Sequence, residues 1–122
     1  MAEAGPDPVA AYPHARRVGN LLFISGIGPH ARGETELPAT FEAEVKGVFY
    51  NLRVILEAVG LDFSHLVDVL GFLTDLEGDF ATYNRTYAEY LGNVRPSRTT
   101  IQVSALPRGI HVEIKAIAVF PE

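Results

Sequence analysis

Cysteine is absent from this chain. Thiol catalysis, disulfides and cysteine-based metal sites are therefore excluded. The four histidines, His14, His30, His65 and His111, form no i,i+4 pair and no HExxH arrangement, so no metal site is expected. No GxGxxG or P-loop follows a strand-like run, and no serine stands in a G-x-S-x-G elbow. No cofactor is expected. Long apolar runs are missing too: none approaches the roughly 18 residues of a membrane span. Residues 1–8 carry acids and prolines but no apolar core of a signal peptide. A soluble cytoplasmic protein without a membrane partner is the expectation. Basic charge is also in short supply. Lys plus Arg number 10 against 15 Asp plus Glu, a net charge of −5, which counts against nucleic acid as a partner. No repeat, linker or low-complexity segment divides the chain, so residues 1–122 are expected to form one domain.

The hydrophobic content, 48% against 20% charged, is that of a globular chain able to build one core. Residues 1–13 are rich in Ala, Pro and Gly and read as loose. The Gly19-Asn20 pair reads as a hairpin turn, with both residues at φ > 0, into Leu21-Leu22-Phe23-Ile24-Ser25-Gly26. Residues 28–38 read as a polar loop. Thr40 reads as an N-cap. Behind it Phe41, Val45, Val48, Phe49, Leu52, Leu56 and Val59 recur at helical spacing, and Gly60 ends the run. A short turn at Ser64-His65-Leu66 leads into a strand over residues 67–74. A second helix is expected from about Asp79, with Phe80, Tyr83, Tyr87 and Leu91 on one stripe and Gly92 as its stop. Two strands close the chain. The order ββ-α-β-α-ββ fits an α+β layer, both helices on one face of a single sheet. On the last strand Val112, Ile114, Ala116 and Ala118 can face the helices. The alternate residues are mixed, and the strand at Val67 is apolar on both faces. A second subunit is the expected cover for the far face.

The chemistry concentrates in the last quarter. Each of the two closing strands sets charge among aliphatic and small polar neighbours: Arg98 in Arg95-Pro96-Ser97-Arg98-Thr99-Thr100, and Glu113 in His111-Val112-Glu113-Ile114-Lys115-Ala116. An arginine fork matches both oxygens of a small carboxylate, and a glutamate nearby can move a proton or hold a water. If these strands form a hairpin centred near Arg108-Gly109, Ser104 lies opposite Glu113. Arg98 then lies about 20 Å away at a rise of ~3.3 Å per residue. The two can share a small ligand only across a subunit boundary. The plainer alternative is two ordinary structural salt bridges. Tyr12 reads either as a packing residue or as a phenol that orients a ligand or water. Asn84 reads as solvent-facing unless its helix borders a pocket. Ser25-Gly26 reads as a turn or as a backbone N–H near a ligand, since Gly permits close approach.

The ordered set of Tyr12, Val18-Gly19-Asn20-Leu21-Leu22-Phe23-Ile24-Ser25-Gly26, Ala58-Val59-Gly60, Leu76-Glu77-Gly78-Asp79-Phe80-Ala81-Thr82-Tyr83-Asn84, Pro96-Ser97-Arg98-Thr99-Thr100, Leu106-Pro107 and Val112-Glu113-Ile114-Lys115-Ala116-Ile117-Ala118 resembles the Rid superfamily, also called YjgF or L-PSP. The resemblance covers nearly the whole chain. It implies a chorismate-mutase-like α+β fold, a homotrimer with sites between subunits, and cofactor-free hydrolysis of enamines and imines to ketones and ammonia. It also implies roles. Arg98 would bind the substrate carboxylate, Glu113 would position water, and Tyr12 and Asn84 would orient the reactants. Gly26, Ile27 and Thr100 fall at substrate-binding positions. Ile27 stands where many deaminating members have Gln, and Thr100 where many have Cys. Tyr12-Pro13-His14, Ser25-Gly26, Arg98-Thr99-Thr100 and Glu113-Ile114-Lys115-Ala116 look more like the 2-aminomuconate deaminase branch, although the match is looser over residues 28–38. The alternatives are a non-catalytic trimer that binds a keto acid or amino acid, and a ribonuclease, which the acidic charge disfavours.

Overall fold

The computed structural model of the protein describes residues 14–31 and 33–122. The expectations placed on residues 1–13, Tyr12 among them, lie outside the described residues. Strand β1 (Ala15–Val18) turns into β2 (Leu21–Ile27). Gly19 alone takes a positive φ there, 62°, and Asn20 does not, so one glycine at the first central position makes the turn.

Helix α1 spans Phe41–Ala58 and starts where its cap dictates, with Thr40 Oγ1 accepting from the Ala43 N–H at 3.1 Å. Such a cap contributes about 1 kcal/mol. Val45, Val48, Phe49, Leu52, Ile55 and Leu56 bury its inner face. Val59, expected on that stripe, is instead the exposed C-cap, because Gly60 at φ 79° turns the chain away just after it. A 3₁₀ turn at Phe63–His65 leads into strand β3 (Leu66–Leu73). Helix α2 (Leu76–Leu91) begins three residues before the expected Asp79. The reason is Asp75, whose Oδ1 accepts from the Gly78 N–H at 3.0 Å and so caps an earlier first turn. Gly92, at φ 56°, ends it as expected. Strand β4 (Ser97–Gln102), a 3₁₀ turn at Pro107–Gly109 and strand β5 (Val112–Val119) complete the chain.

The five strands form one mixed sheet in the order β1-β2-β5-β3-β4. Only β3 and β4 run parallel. The expected hairpin of the last two strands is wrong. Strand β3 lies between β4 and β5, so Ser104 does not face Glu113; Phe72 does. The physical reason is the crossover. β3, α2 and β4 make a βαβ unit, which sets β4 parallel to β3 and on its outer side. Residues 103–111 then carry the chain back over β3 to the other edge of that strand.

Both helices cover one face. Strand β5 turns Val112, Ile114, Ala116 and Ala118 toward them, all at most 1% exposed. Between the helices, Phe49 stacks on Tyr90 at 5.4 Å and meets Tyr87 edge-on at 5.7 Å. Burying a ring of this size stabilises the fold by about 1.5–3 kcal/mol. The far face shows Phe23 and Ile101, 37% and 41% exposed, in a surface that also carries Glu113 and Lys115. No helix among the described residues is long and apolar enough to cross a membrane.

Candidate functional site

Register decides where the two charged residues go. Arg98 pairs with Val69, and Val69 pairs with Ala116. Aligned residues on neighbouring strands project from the same face, and Val69 and Ala116 are buried under the helices. Arg98 therefore rises on the helix side. Its guanidinium carbon lies 4.8 Å from the Tyr87 ring centre, 5.8 Å from Phe80 and 5.9 Å from Tyr83. A cation over three aromatic rings is held in place without losing its N–H edges. No acidic side chain is paired with Arg98 among the described residues.

Polar atoms with unmet hydrogen-bonding capacity gather around this guanidinium. The Tyr83 hydroxyl, Asn84 Oδ1 and Thr100 Oγ1 are all buried without a partner among the described residues. Gly71, the register partner of Thr100, makes room for Tyr83: a Cβ at Gly71 would fall 2.5 Å from the Tyr83 hydroxyl. Burial pushes both the Tyr83 and Tyr87 phenols up against the opposing pull of Arg98, so both stay neutral donors near neutral pH. Buried polar groups are almost always satisfied, and clusters of exceptions point to a ligand or ordered water. Of these three residues Asn84 lines a cleft of about 370 Å³, together with Tyr87, Arg95 and Arg98. That volume suits a small molecule. Asn84 thus faces a pocket rather than open solvent.

Glu113 is on the opposite face. Its neighbours Val112 and Ile114 point into the core, and Glu113 itself aligns with Phe72 on the far side. Burial pushes its carboxyl pKa up. Gly26 lies directly against it: a Cβ there would fall 2.6 Å from Glu113 Oε2. This approach depends on a bulge. Between Ile24↔Ala116 and Ile27↔Ile114, Ser25 and Gly26 stand against the single residue Lys115.

The described residues thus fall into two groups on opposite faces of the sheet. Arg98, Asn84 and Thr100 gather on the helix side, and Glu113 meets Gly26 on the other. Within one chain the sheet separates them, which replaces the expected 20 Å along a hairpin as the reason they cannot share a ligand. Ile27 joins neither through its side chain. It is 3% exposed and packed in the core beside Ile114. The aromatic support of Arg98 was not foreseen. Phe80, Tyr83 and Tyr87 were visible as a helical stripe, but the parallel placement of β4 is what sets Arg98 above them.

His111 takes a different part. Its Nδ1 lies 2.6 Å from Glu44 Oε2, and its N–H donates to Glu44 Oε1 at 2.8 Å. This pair ties the start of β5 to α1. Among the described residues no group of three His, Asp or Glu side chains converges as metal ligands would.

Known proteins with the same features are numerous. The family described as Endoribonuclease L-PSP matches residues 2–120. Protein DfrA of Myxococcus xanthus is 44% identical, over 97% of this chain and 92% of its own length. The mouse 2-iminobutanoate/2-iminopropanoate deaminase is 38% identical, over 93% of this chain and 84% of its own. The crystal structure of RidA from the Antarctic bacterium Psychrobacter sp. PAMC 21119 superposes with a TM-score of 0.93 at 36% identity, covering 98% of this chain and 97% of that one. The chain belongs to the Endoribonuclease L-PSP family, the YjgF or Rid group that its motifs resemble.

Proposed function

We propose that the protein is a cofactor-free deaminase of small carboxylated imines or enamines, of the 2-aminomuconate kind, working as a homotrimer with its sites between subunits. One observation carries the reading. A guanidinium without an acidic partner among the described residues is held over aromatic rings on one face of the sheet, and a proton-affine carboxylate stands on the other. Two copies of the chain bring such halves together where one cannot. The relatives named as imine deaminases support the reaction class.

In this account Arg98 of one subunit grips the substrate carboxylate with two parallel N–H bonds. An enamine first tautomerises to the imine. A water beside Glu113 of the neighbouring subunit attacks the imine carbon, and Glu113 takes a proton from it. Glu113 returns that proton to the nitrogen, giving a carbinolamine; the carbinolamine hydroxyl then gives up the second proton to the nitrogen as the C–N bond breaks, so that ammonia leaves and the carbonyl remains. The sum is imine plus water giving ketone plus ammonia. Glu113 is suited to this, because burial makes its carboxylate a stronger base than an exposed one. Asn84 and Tyr12 orient the substrate or the water, and Thr100 and the backbone at Gly26 and Ile27 line the pocket.

Ammonia release from freshly generated 2-iminobutanoate and 2-aminomuconate, with light scattering on the same sample, tests the reading. The expected result is accelerated release from a particle of about three times 13.3 kDa. A particle of that size that binds keto acids but accelerates neither hydrolysis would replace the deaminase with a binding protein. A stable monomer at micromolar concentration would remove the shared site.

A further inference from the structure

Arg95 lines the same cleft as Arg98 and has no part in the account so far. It follows α2, whose last carbonyls need donors. Its Nη1 meets that need, donating to Gly92 O at 2.5 Å and Val94 O at 3.2 Å. These two bonds use one nitrogen only. The Nε and Nη2 donors form the other edge of the guanidinium, the edge that matches a carboxylate bidentately. They have no partner among the described residues, and no carboxylate is paired with Arg95 there. An end-capping role explains the Nη1 contacts and leaves that edge unaccounted for.

The charge of the cleft is unusual for this protein. The chain is acidic, at −5, yet two arginines line one small pocket. Burial raises the Tyr87 phenol pKa, both guanidiniums lie near enough to oppose that rise, and Asp68 adds to it. Asp68 is engaged elsewhere, accepting from Ser97 Oγ at 2.6 Å. Two like charges in one cleft repel, and an anion bound between them relieves that repulsion. Arg95 and Arg98 are three residues apart, so their Cα atoms are at most about 11 Å apart. Their side chains can therefore close on a short ligand from two ends.

We infer that Arg95 is a second anion anchor, which makes the cleft selective for substrates carrying two carboxylates on a short carbon chain over those carrying one. Arg98 takes the carboxylate next to the imine carbon, and the Nε–Nη2 edge of Arg95 takes the distal one. This rests on the proposed function for the identity of the first carboxylate site, and it deepens that reading by naming the residue that selects the substrate.

The test compares calorimetric binding of 2-oxoglutarate and 2-oxobutanoate, keto acids with and without a distal carboxylate. The intact protein is expected to bind 2-oxoglutarate at least about tenfold more tightly. Arg95→Gln is expected to erase that ratio, weakening 2-oxoglutarate far more than 2-oxobutanoate. Arg95→Lys keeps a charge at the helix end but lacks the planar edge, and is expected to restore the ratio only in part. It also carries the measurement if the Gln variant does not fold. Loss of helix capping alone would weaken both ligands alike. Equal weakening, or no preference in the intact protein, would overturn the inference. Ammonia release by the intact protein is read separately. A dicarboxylate preference without hydrolysis of the corresponding imines would leave the second anchor standing and remove the deaminase, and hydrolysis without preference would do the reverse.

Discussion

Arg98→Ala is expected to abolish turnover while the fold survives. Strand β4 is an edge strand, and Arg98 is exposed and makes no core contact beyond the ring faces beneath it. Its removal leaves no buried charge and no cavity, so little stability is at stake. The catalytic loss is another matter. A bidentate arginine–carboxylate contact fixes both position and orientation, and misplaced reactants lose the advantage of proximity. A fall in kcat/KM of about 10²-fold or more is expected. Arg98→Lys keeps the charge without the fork and is expected to recover little. Steady-state ammonia release with a thermal melt of each variant decides it. Unchanged kcat/KM in a folded Arg98→Ala protein would take the central residue out of the account.

Glu113→Gln is expected to move activity and stability in opposite directions. The amide is nearly isosteric and still hydrogen-bonds, but it cannot act as a base. Imine hydrolysis should fall roughly 10²-fold or more. Affinity for a product-like keto acid should hold or rise, since a negative charge facing an anionic ligand is gone. The stability effect follows from the raised carboxyl pKa. The folded protein holds this proton more tightly than the unfolded chain does. The contribution is therefore fully present below the ordinary carboxylate pKa and is lost as pH rises through the higher folded value. Glu113→Gln has no proton to lose. Its urea midpoint should gain on that of the unaltered protein as pH rises from the ordinary carboxylate range through the higher folded value. Normal catalysis in the variant would sink the mechanism. A midpoint difference that shrinks over that range would show that Glu113 is stabilised as an anion.

The helices were legible because each is written locally. Thr40, Gly60 and Gly92 mark their own positions, and the stripes that include Phe49 and Tyr83 repeat at helical spacing. The start of α2 slipped because Asp75, four residues before Asp79, caps an earlier first turn. The order of the strands was not legible. Pro107-Arg108-Gly109 looks like a hairpin turn, and a local pattern cannot show that α2 has already placed β4 outside β3. That single error of pairing concealed the face on which Arg98 stands and the rings beneath it. Arg98 and Glu113 stood out because a charge in an apolar strand is conspicuous. Arg95 did not, since an arginine after a helix reads as an end cap. Ile27 was named through the resemblance, as standing where many members have Gln, but the bulge at Ser25-Gly26 returns its side chain to the core.

The account's central claim is that Arg98 and Glu113 act together from different copies of the chain. Mixing the inactive Arg98→Ala and Glu113→Gln proteins tests it directly, after the subunits are dissociated and allowed to reassemble. In a hybrid ring, a site between an intact Arg98 and an intact Glu113 forms wherever the two variants meet in the right order. Random reassembly at equal amounts should make about a quarter of the sites intact, and about a quarter of the original ammonia release should return. A mixture that exchanges subunits, shown by mass spectrometry of the hybrids, yet stays as inactive as either parent would contradict the shared site.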